Sequence, residues 1–220
     1  GWPGESVAIG AATDPYQPAE GRYRLTRACL HVLAAARNPF SIVTRGPMIV
    51  RDIDVLRSAA RRAEVEVHFS IPTLDPDVWS RTEPGTAPPR QRLRALRMLI
   101  DAGIDAAVGM APILPGLSDD PAKLAEVVRA AREAGATGVW CNVLFLRPGT
   151  REHFLESLAR HWPELLPRYA QIYRGAYPER RDAEPIKARV AALRRDYDVR
   201  DRRARPLEPP PAPEQLPLAM

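Results

Sequence analysis

The chain has 220 residues, of which 45% are hydrophobic and 27% charged, with a formal net charge of +5. These values describe an ordinary soluble globular chain of one domain, or of one domain and a tail, able to bury a sizeable core. They exclude a protein built on apolar membrane spans, because no run approaches ~18 apolar residues, and no secretory leader is visible.

The first residue is Gly1, in what reads as a loop, so the expectation is a fragment whose N-terminal part is missing. Residues 7–12 open on the apolar run Val7-Ala8-Ile9 and predict a strand. The block TDPYQP (13–18) breaks it, since two prolines so close together neither continue a strand nor open a helix smoothly. Residues 23–38 are helical in pattern, with Leu25, Ala28, Leu30, Leu33 and Ala36 on one face. FSIVT (40–44) predicts a second strand, and 51–63 a helix with Ile53, Leu56 and Ala60 inward. VEVHFS (65–70) predicts a third strand, and 89–102 a helix stopped by Gly103. A fourth strand is expected over 106–113. A helix over 121–134 follows, with Ser118, Asp119 and Asp120 at its mouth and Gly135 past its end. A fifth strand spans 138–146.

Five strands alternating with four helices give the βα repeat of a parallel sheet, most simply a segment of a (β/α) barrel. Beyond residue 150 the strand pattern stops. Residues 152–160, 163–175 and 184–197 predict helices, and the proline-rich 206–220 predicts a disordered tail. The expected organisation is a barrel over 1–150, a helical extension over 151–200 and a tail over 201–220.

Barrel chemistry sits at the C-terminal ends of the strands. Here those ends carry Thr13-Asp14, Arg45-Gly46, Ser70, Thr82-Glu83 and two Pro/Gly turns, PILPG and LRPG. Hydroxyls, a cation and acids converging on one rim suit a small zwitterion. Turn closure alone accounts for Gly116 and Gly149, but not for Thr13-Asp14, Arg45 and Ser70 together.

These blocks resemble the radical S-adenosylmethionine (SAM) superfamily, in the branch of spore photoproduct lyase and the DNA repair photolyase-like proteins. The resemblance rests on TDPYQPAE (13–20), VTR (43–45), HFSIPT (68–73), EPGTAPPRQRL (83–93), MAPILPGLSD (110–119) and LFLRPG (144–149), taken in order. It implies a partial (β/α)6 barrel missing its first strand, followed by C-terminal helices. In that family a Cys-x3-Cys-x2-Cys loop holds a 4Fe–4S cluster, and the methionyl amine and carboxylate of SAM chelate its open iron. An external electron donor then drives cleavage of SAM to a 5′-deoxyadenosyl radical, which abstracts hydrogen from substrate.

By resemblance, Thr13 matches a SAM-contacting serine, and Asp14 accepts from the methionyl ammonium or braces the turn. Arg45 stands where the lyases carry a lysine for the SAM carboxylate, Ser70 matches a serine on the same group, and Ala111 lines the adenosine with its backbone. Tyr16 and Gln17 bracket substrate or pack under the loop. Glu83 and Arg92 match a block where an ion pair would order the loop. His68, by strand parity, lies on the face of Ser70, either lining the site or buried as a structural residue.

Two departures limit the implied activity. Cys29 falls in a predicted helix and Cys141 in a predicted strand, so both read as core thiols of a reduced, cytoplasmic protein, and no metal ligand is assigned in this chain. Ala11 occupies the position of the lyase's hydrogen-donating cysteine, which puts thymine-dimer repair in doubt. The expected function is that of a radical SAM enzyme, substrate unknown, whose cluster motif lies outside these residues. The alternative is a cluster-less remnant that binds SAM or nucleic acid without catalysis. A metal-free barrel aldolase or isomerase lacks its strand-end lysine here. The arginine excess, with only Lys123 and Lys187 as lysines, suits either a phosphate-binding face or the codon bias of a high-GC genome.

Overall fold

The computed structural model describes residues 4–201 and 206–209. Five strands, β1 (Val7–Ile9), β2 (Phe40–Thr44), β3 (Val65–Ser70), β4 (Asp105–Ile113) and β5 (Val139–Val143), form one sheet in the order β1-β2-β3-β4-β5. All neighbouring pairs are parallel, so each βα unit advances the sheet by one place, as in a barrel wall. Among the described residues β1 pairs with β2 alone and β5 with β4 alone, so the barrel is partial.

Among the described residues nine α-helices accompany the sheet: α1 (Pro18–Tyr23), α2 (Leu25–Ala35), α3 (Ile53–Ala60), α4 (Pro76–Thr82), α5 (Pro89–Asp101), α6 (Pro121–Glu133), α7 (Thr150–His161), α8 (Leu166–Ile172) and α9 (Arg180–Asp196). Strand alternation assigns the two faces. Val65, Val67 and Phe69 of β3 are buried with Leu56 of α3, Leu96 and Leu99 of α5 and Val128 of α6 in the main core. Glu66, His68 and Ser70, of opposite parity, lie on the concave face. A second cluster sits over the rim, where Leu114, Leu144 and Leu146 pack with Leu158 of α7 and with Tyr169 and Ile172 of α8. Val190 of α9 joins the main core. The helices beyond residue 150 therefore serve two parts of the barrel, with α7 and α8 on the rim and α9 on the wall.

Several boundaries differ from expectation. The helix expected over 23–38 is α2, shorter at both ends, and the unexpected α1 precedes it across a break at Arg24, whose φ is 52°. Glu20, buried in α1, accepts hydrogen bonds from the Thr26 and Arg27 amides and so caps α2 from the preceding turn. Pro18 does not resist helix formation as expected but occupies the first position of α1, where its missing N–H costs nothing. The helix expected over 51–63 opens as a 3-10 turn over Pro47–Asp52 before α3. Strand β1 stops at Ile9, because residues 10–13 bend away. The sequence reading passed over α4, although Asp75 caps it by accepting from the Asp77 and Val78 amides.

Of the expected disordered tail over 201–220, residues 202–205 and 210–220 lie outside the described residues. The Glu208 amide donates to the Arg61 carbonyl, and its carboxylate pairs with Arg61 and Arg62. Among the described residues, no helix is long and apolar enough to cross a membrane.

Candidate functional site

The rim is assembled by side chains that tie each strand end to the next. At β1 the chain turns at Gly10, with φ of 90°, where a Cβ would lie 2.2 Å from the Val43 carbonyl oxygen; only glycine lets the turn press against β2. Asp14 follows. Its Oδ1 accepts from the Tyr16 amide at 2.8 Å and from the Thr44 hydroxyl at 2.7 Å, and its Oδ2 accepts from the Arg45 amide at 2.6 Å. Thr44 Oγ1 accepts in turn from the Gly46 amide. Asp14 thus staples the β1 elbow to the end of β2, with both oxygens engaged by the protein's own donors.

Of its two expected places Tyr16 takes the one under the loop: its ring is buried and its hydroxyl donates to Asp52 Oδ2 at 3.1 Å. Aromatic area gains more by packing under the elbow than by facing water. Gly46 makes room for it, since a Cβ there would come 2.6 Å from the Tyr16 Cβ. Asp52, fully buried, also accepts from Arg27 at 3.0 Å and from Arg51 at 2.9 Å. Thr13 and Gln17 are exposed on the elbow.

Arg45, next after Thr44, has concave-face parity. Its Nε lies 3.4 Å from Glu83 Oε1, an ion-pair distance without hydrogen-bond geometry, so this buried N–H has no acceptor. Glu83 Oε2 is 2.5 Å from the Arg92 guanidinium. Arg92 is fully buried, and it also donates to the Ala87 carbonyl at 2.7 Å, the Ser70 carbonyl at 2.7 Å and Thr86 Oγ1 at 2.8 Å. Burial lowers the pKa of Arg92 and Glu83 opposes the shift, but a guanidinium stays charged in a protein. Ser70 Oγ donates to the Ala111 carbonyl at 2.8 Å, across the irregular stretch of β4 between Met110 and Ile113. Asp14, the Glu83–Arg92 pair and Ser70 therefore link β1 to β2, β2 to β3 and β3 to β4 in one polar chain.

Two cavities meet at Arg45. One, of about 410 Å³, lies between the rim and α7, lined by Arg45, Glu83, Pro112, Leu144, His153 and Trp162 among others. The other, of about 580 Å³, opens on the elbow side against Asp14, Gln17, Gly46 and Thr86. The first is of a size suited to a small ligand. His153 and His161 both line it; as isolated residues of a polar helix they carried no signal in the sequence. Thr44 stands in the VTR block, but its partner is not legible there, because the carboxylate comes thirty residues earlier.

Lower on the concave face, the Trp140 indole N–H donates to His68 Nδ1 at 3.1 Å, and His68 Nε2 lies 3.3 Å from Glu66. The indole crosses β4 over Gly109, where a Cβ would come 2.6 Å from its ring. The hydrogen bond from His68 is the main influence lowering the Glu66 pKa.

Of the zwitterionic end of SAM, the carboxylate finds a cation on this rim in Arg45, whose guanidinium makes no hydrogen bond among the described residues. An iron–sulfur cluster does not fit these residues. The sequence has two cysteines: Cys29 is exposed on α2, which corrects its reading as a core thiol, and Cys141 is half-buried in β5; among the described residues no three His, Cys, Asp or Glu side chains are grouped to hold a metal.

A family model for the radical SAM superfamily matches residues 2–126. The uncharacterized protein Rv2578c of Mycobacterium tuberculosis is 41% identical over 197 residues, covering 89% of this chain and 58% of the relative. The uncharacterized protein ORF301 of Acidianus two-tailed virus is 30% identical over 160 residues, covering 71% of this chain and 52% of the relative. The chain thus spans little more than half the length of these relatives. Among solved structures, a spore photoproduct lyase variant with bound AdoMet and dinucleoside spore photoproduct shares the fold. Its TM-score is 0.66 at 14% identity, over 87% of this chain and 58% of that one.

Proposed function

The chain belongs to the radical SAM superfamily, and from that premise we propose that it forms the SAM-binding rim of an enzyme that generates a 5′-deoxyadenosyl radical and abstracts hydrogen from a substrate. The observation that carries the reading is Arg45, a strand-end cation that borders both cavities and whose guanidinium makes no hydrogen bond among the described residues. A methionyl carboxylate at the terminal nitrogens of Arg45 gains a charge-assisted contact.

In this reading Thr13 and the elbow backbone take the ammonium, while Asp14 holds the elbow in place and contributes its negative charge. Ser70 fixes the Ala111 carbonyl beside the adenosine. Because these residues do not suit a cluster, its cysteines are assigned outside them, and the electron comes from an external donor. With Ala11 at the elbow, the reaction takes no hydrogen from a thiol at that position.

The test is anaerobic reconstitution of the complete protein with iron and sulfide, followed by SAM and dithionite. The expected outcome is 5′-deoxyadenosine, detected chromatographically, together with a loss of SAM affinity in Arg45→Ala of roughly ten- to a hundredfold, at 1.4 kcal/mol per decade. Reconstituted protein that binds SAM but forms no 5′-deoxyadenosine would identify a binding protein. Unchanged SAM affinity in Arg45→Ala would remove Arg45 from the site.

A further inference from the structure

We propose that Glu83 is a positioning residue for Arg45, holding its guanidinium at one nitrogen so that the other two face a ligand carboxylate. The proposal rests on the reading of Arg45 as the carboxylate-binding cation. Arginine has many rotamers to lose, and a fork that is already oriented loses less of that entropy on binding. The side chain of Arg45 is about one-third exposed, and its ionic contact, Nε to Glu83, is at the inner end of the guanidinium. Among the described residues no hydrogen bond from this guanidinium is present. Its terminal nitrogens are available at the boundary of the two cavities that Arg45 lines.

A carboxylate beside a cation can also compete with an anionic ligand. Which effect prevails depends on where the Glu83 charge is already committed. Its Oε2 is 2.5 Å from Arg92, whose side chain is 0% exposed. Arg92 is fixed by the Ala87 and Ser70 carbonyls and by Thr86. The buried Arg92 charge offsets that of Glu83, so Arg45 keeps its positive field toward the ligand while Glu83 supplies direction. The same guanidinium grips the β3 carbonyl of Ser70, so the orientation of Arg45 is referenced to the neighbouring strand and not to a loose loop.

A double-mutant cycle on SAM binding, read by isothermal titration calorimetry with the cluster reconstituted, separates positioning from general support of the fold. Glu83→Gln keeps an acceptor for Arg92 and turns an amide toward Arg45. In the wild-type background it is expected to weaken SAM binding about five- to tenfold. In the Arg45→Ala background it is expected to change binding by less than about twofold, since only contacting residues couple. An equal loss in both backgrounds, or none in the wild type, overturns the positioning role while leaving Arg45 in place. A wild-type affinity in Arg45→Ala alone overturns the carboxylate reading, and the positioning role with it. Should Glu83→Gln unfold at the assay temperature, Glu83→Asp reads the same cycle, because the shorter acid cannot span both guanidinium groups.

Discussion

At the scale of single residues, Tyr16 shows how a motif can be noticed while the aim of one of its side chains stays open between two places. The elbow TDPYQP advertises a shaped rim, but sequence spacing does not say which of its members turns inward. The partner that decides, Asp52, lies far along the chain and is itself a composite product of Arg27, Arg51 and Tyr16. Hydrogen bonds to charged groups contribute ~1.5–3 kcal/mol. Tyr16→Phe should therefore lower unfolding stability by about 1.5–2 kcal/mol in urea titrations and leave SAM affinity within about twofold. A large change in affinity with unchanged stability would return Tyr16 to the ligand. The Glu83–Arg92 pair was more legible, because both residues fall in one short block. Arg45 was legible as a cation at a strand end, though not the carboxylate that addresses it.

At the scale of elements, the strands β2 and β3 coincide with their predicted limits because alternation and β-branched content agree with burial. The misses share a physical cause, since they are local stretches whose conformation is set by a few polar contacts and not by periodicity. Helix α4 spans too few residues for a 3.6-residue pattern to register, although the Asp75-Pro76 start is a cap signal. The break at Arg24 is invisible in the apolar pattern, which runs on through α2. Its cause is Glu20, which receives the Thr26 and Arg27 amides and pairs with Arg51 at 2.7 Å. Glu20→Ala strips the cap from α2 and the partner from Arg51 together. A loss of about 3 kcal/mol is expected, between the worth of a cap and that of a broken buried ion pair. It is measurable as a shift of the denaturation midpoint, and a change below about 0.5 kcal/mol would mean that α2 is held by its apolar face alone.

At the scale of the whole molecule, the sheet buries its apolar core on the helical side. There the apolar core is reinforced by carboxylates buried among arginines. Burial by itself raises the pKa of Asp52, but hydrogen bonds from Arg51, Arg27 and Tyr16 outweigh it, and the net shift is downward. Burial likewise raises Glu20, and the Thr26 amide, Arg51 and the Arg27 amide reverse it. Both carboxyls therefore hold protons less readily in the folded state than in the unfolded chain, where Asp and Glu titrate near ~3.9 and ~4.3. The stability they contribute is fully present above about pH 5 and is lost as the pH falls through the unfolded values toward the folded ones, because there the unfolded chain binds more protons. Urea unfolding should thus be nearly independent of these groups between about pH 5 and pH 8 and fall progressively below about pH 4. Asp52→Asn removes one of the two titrations. It should be less stable than wild type at neutral pH, where the buried arginines lose their counter-charge, and should show a shallower decline in acid, so that the two stability curves converge as the pH drops. Parallel curves over that range would mean that Asp52 is not a source of the acid sensitivity, and that the cluster around α1, α2 and α3 holds by packing alone.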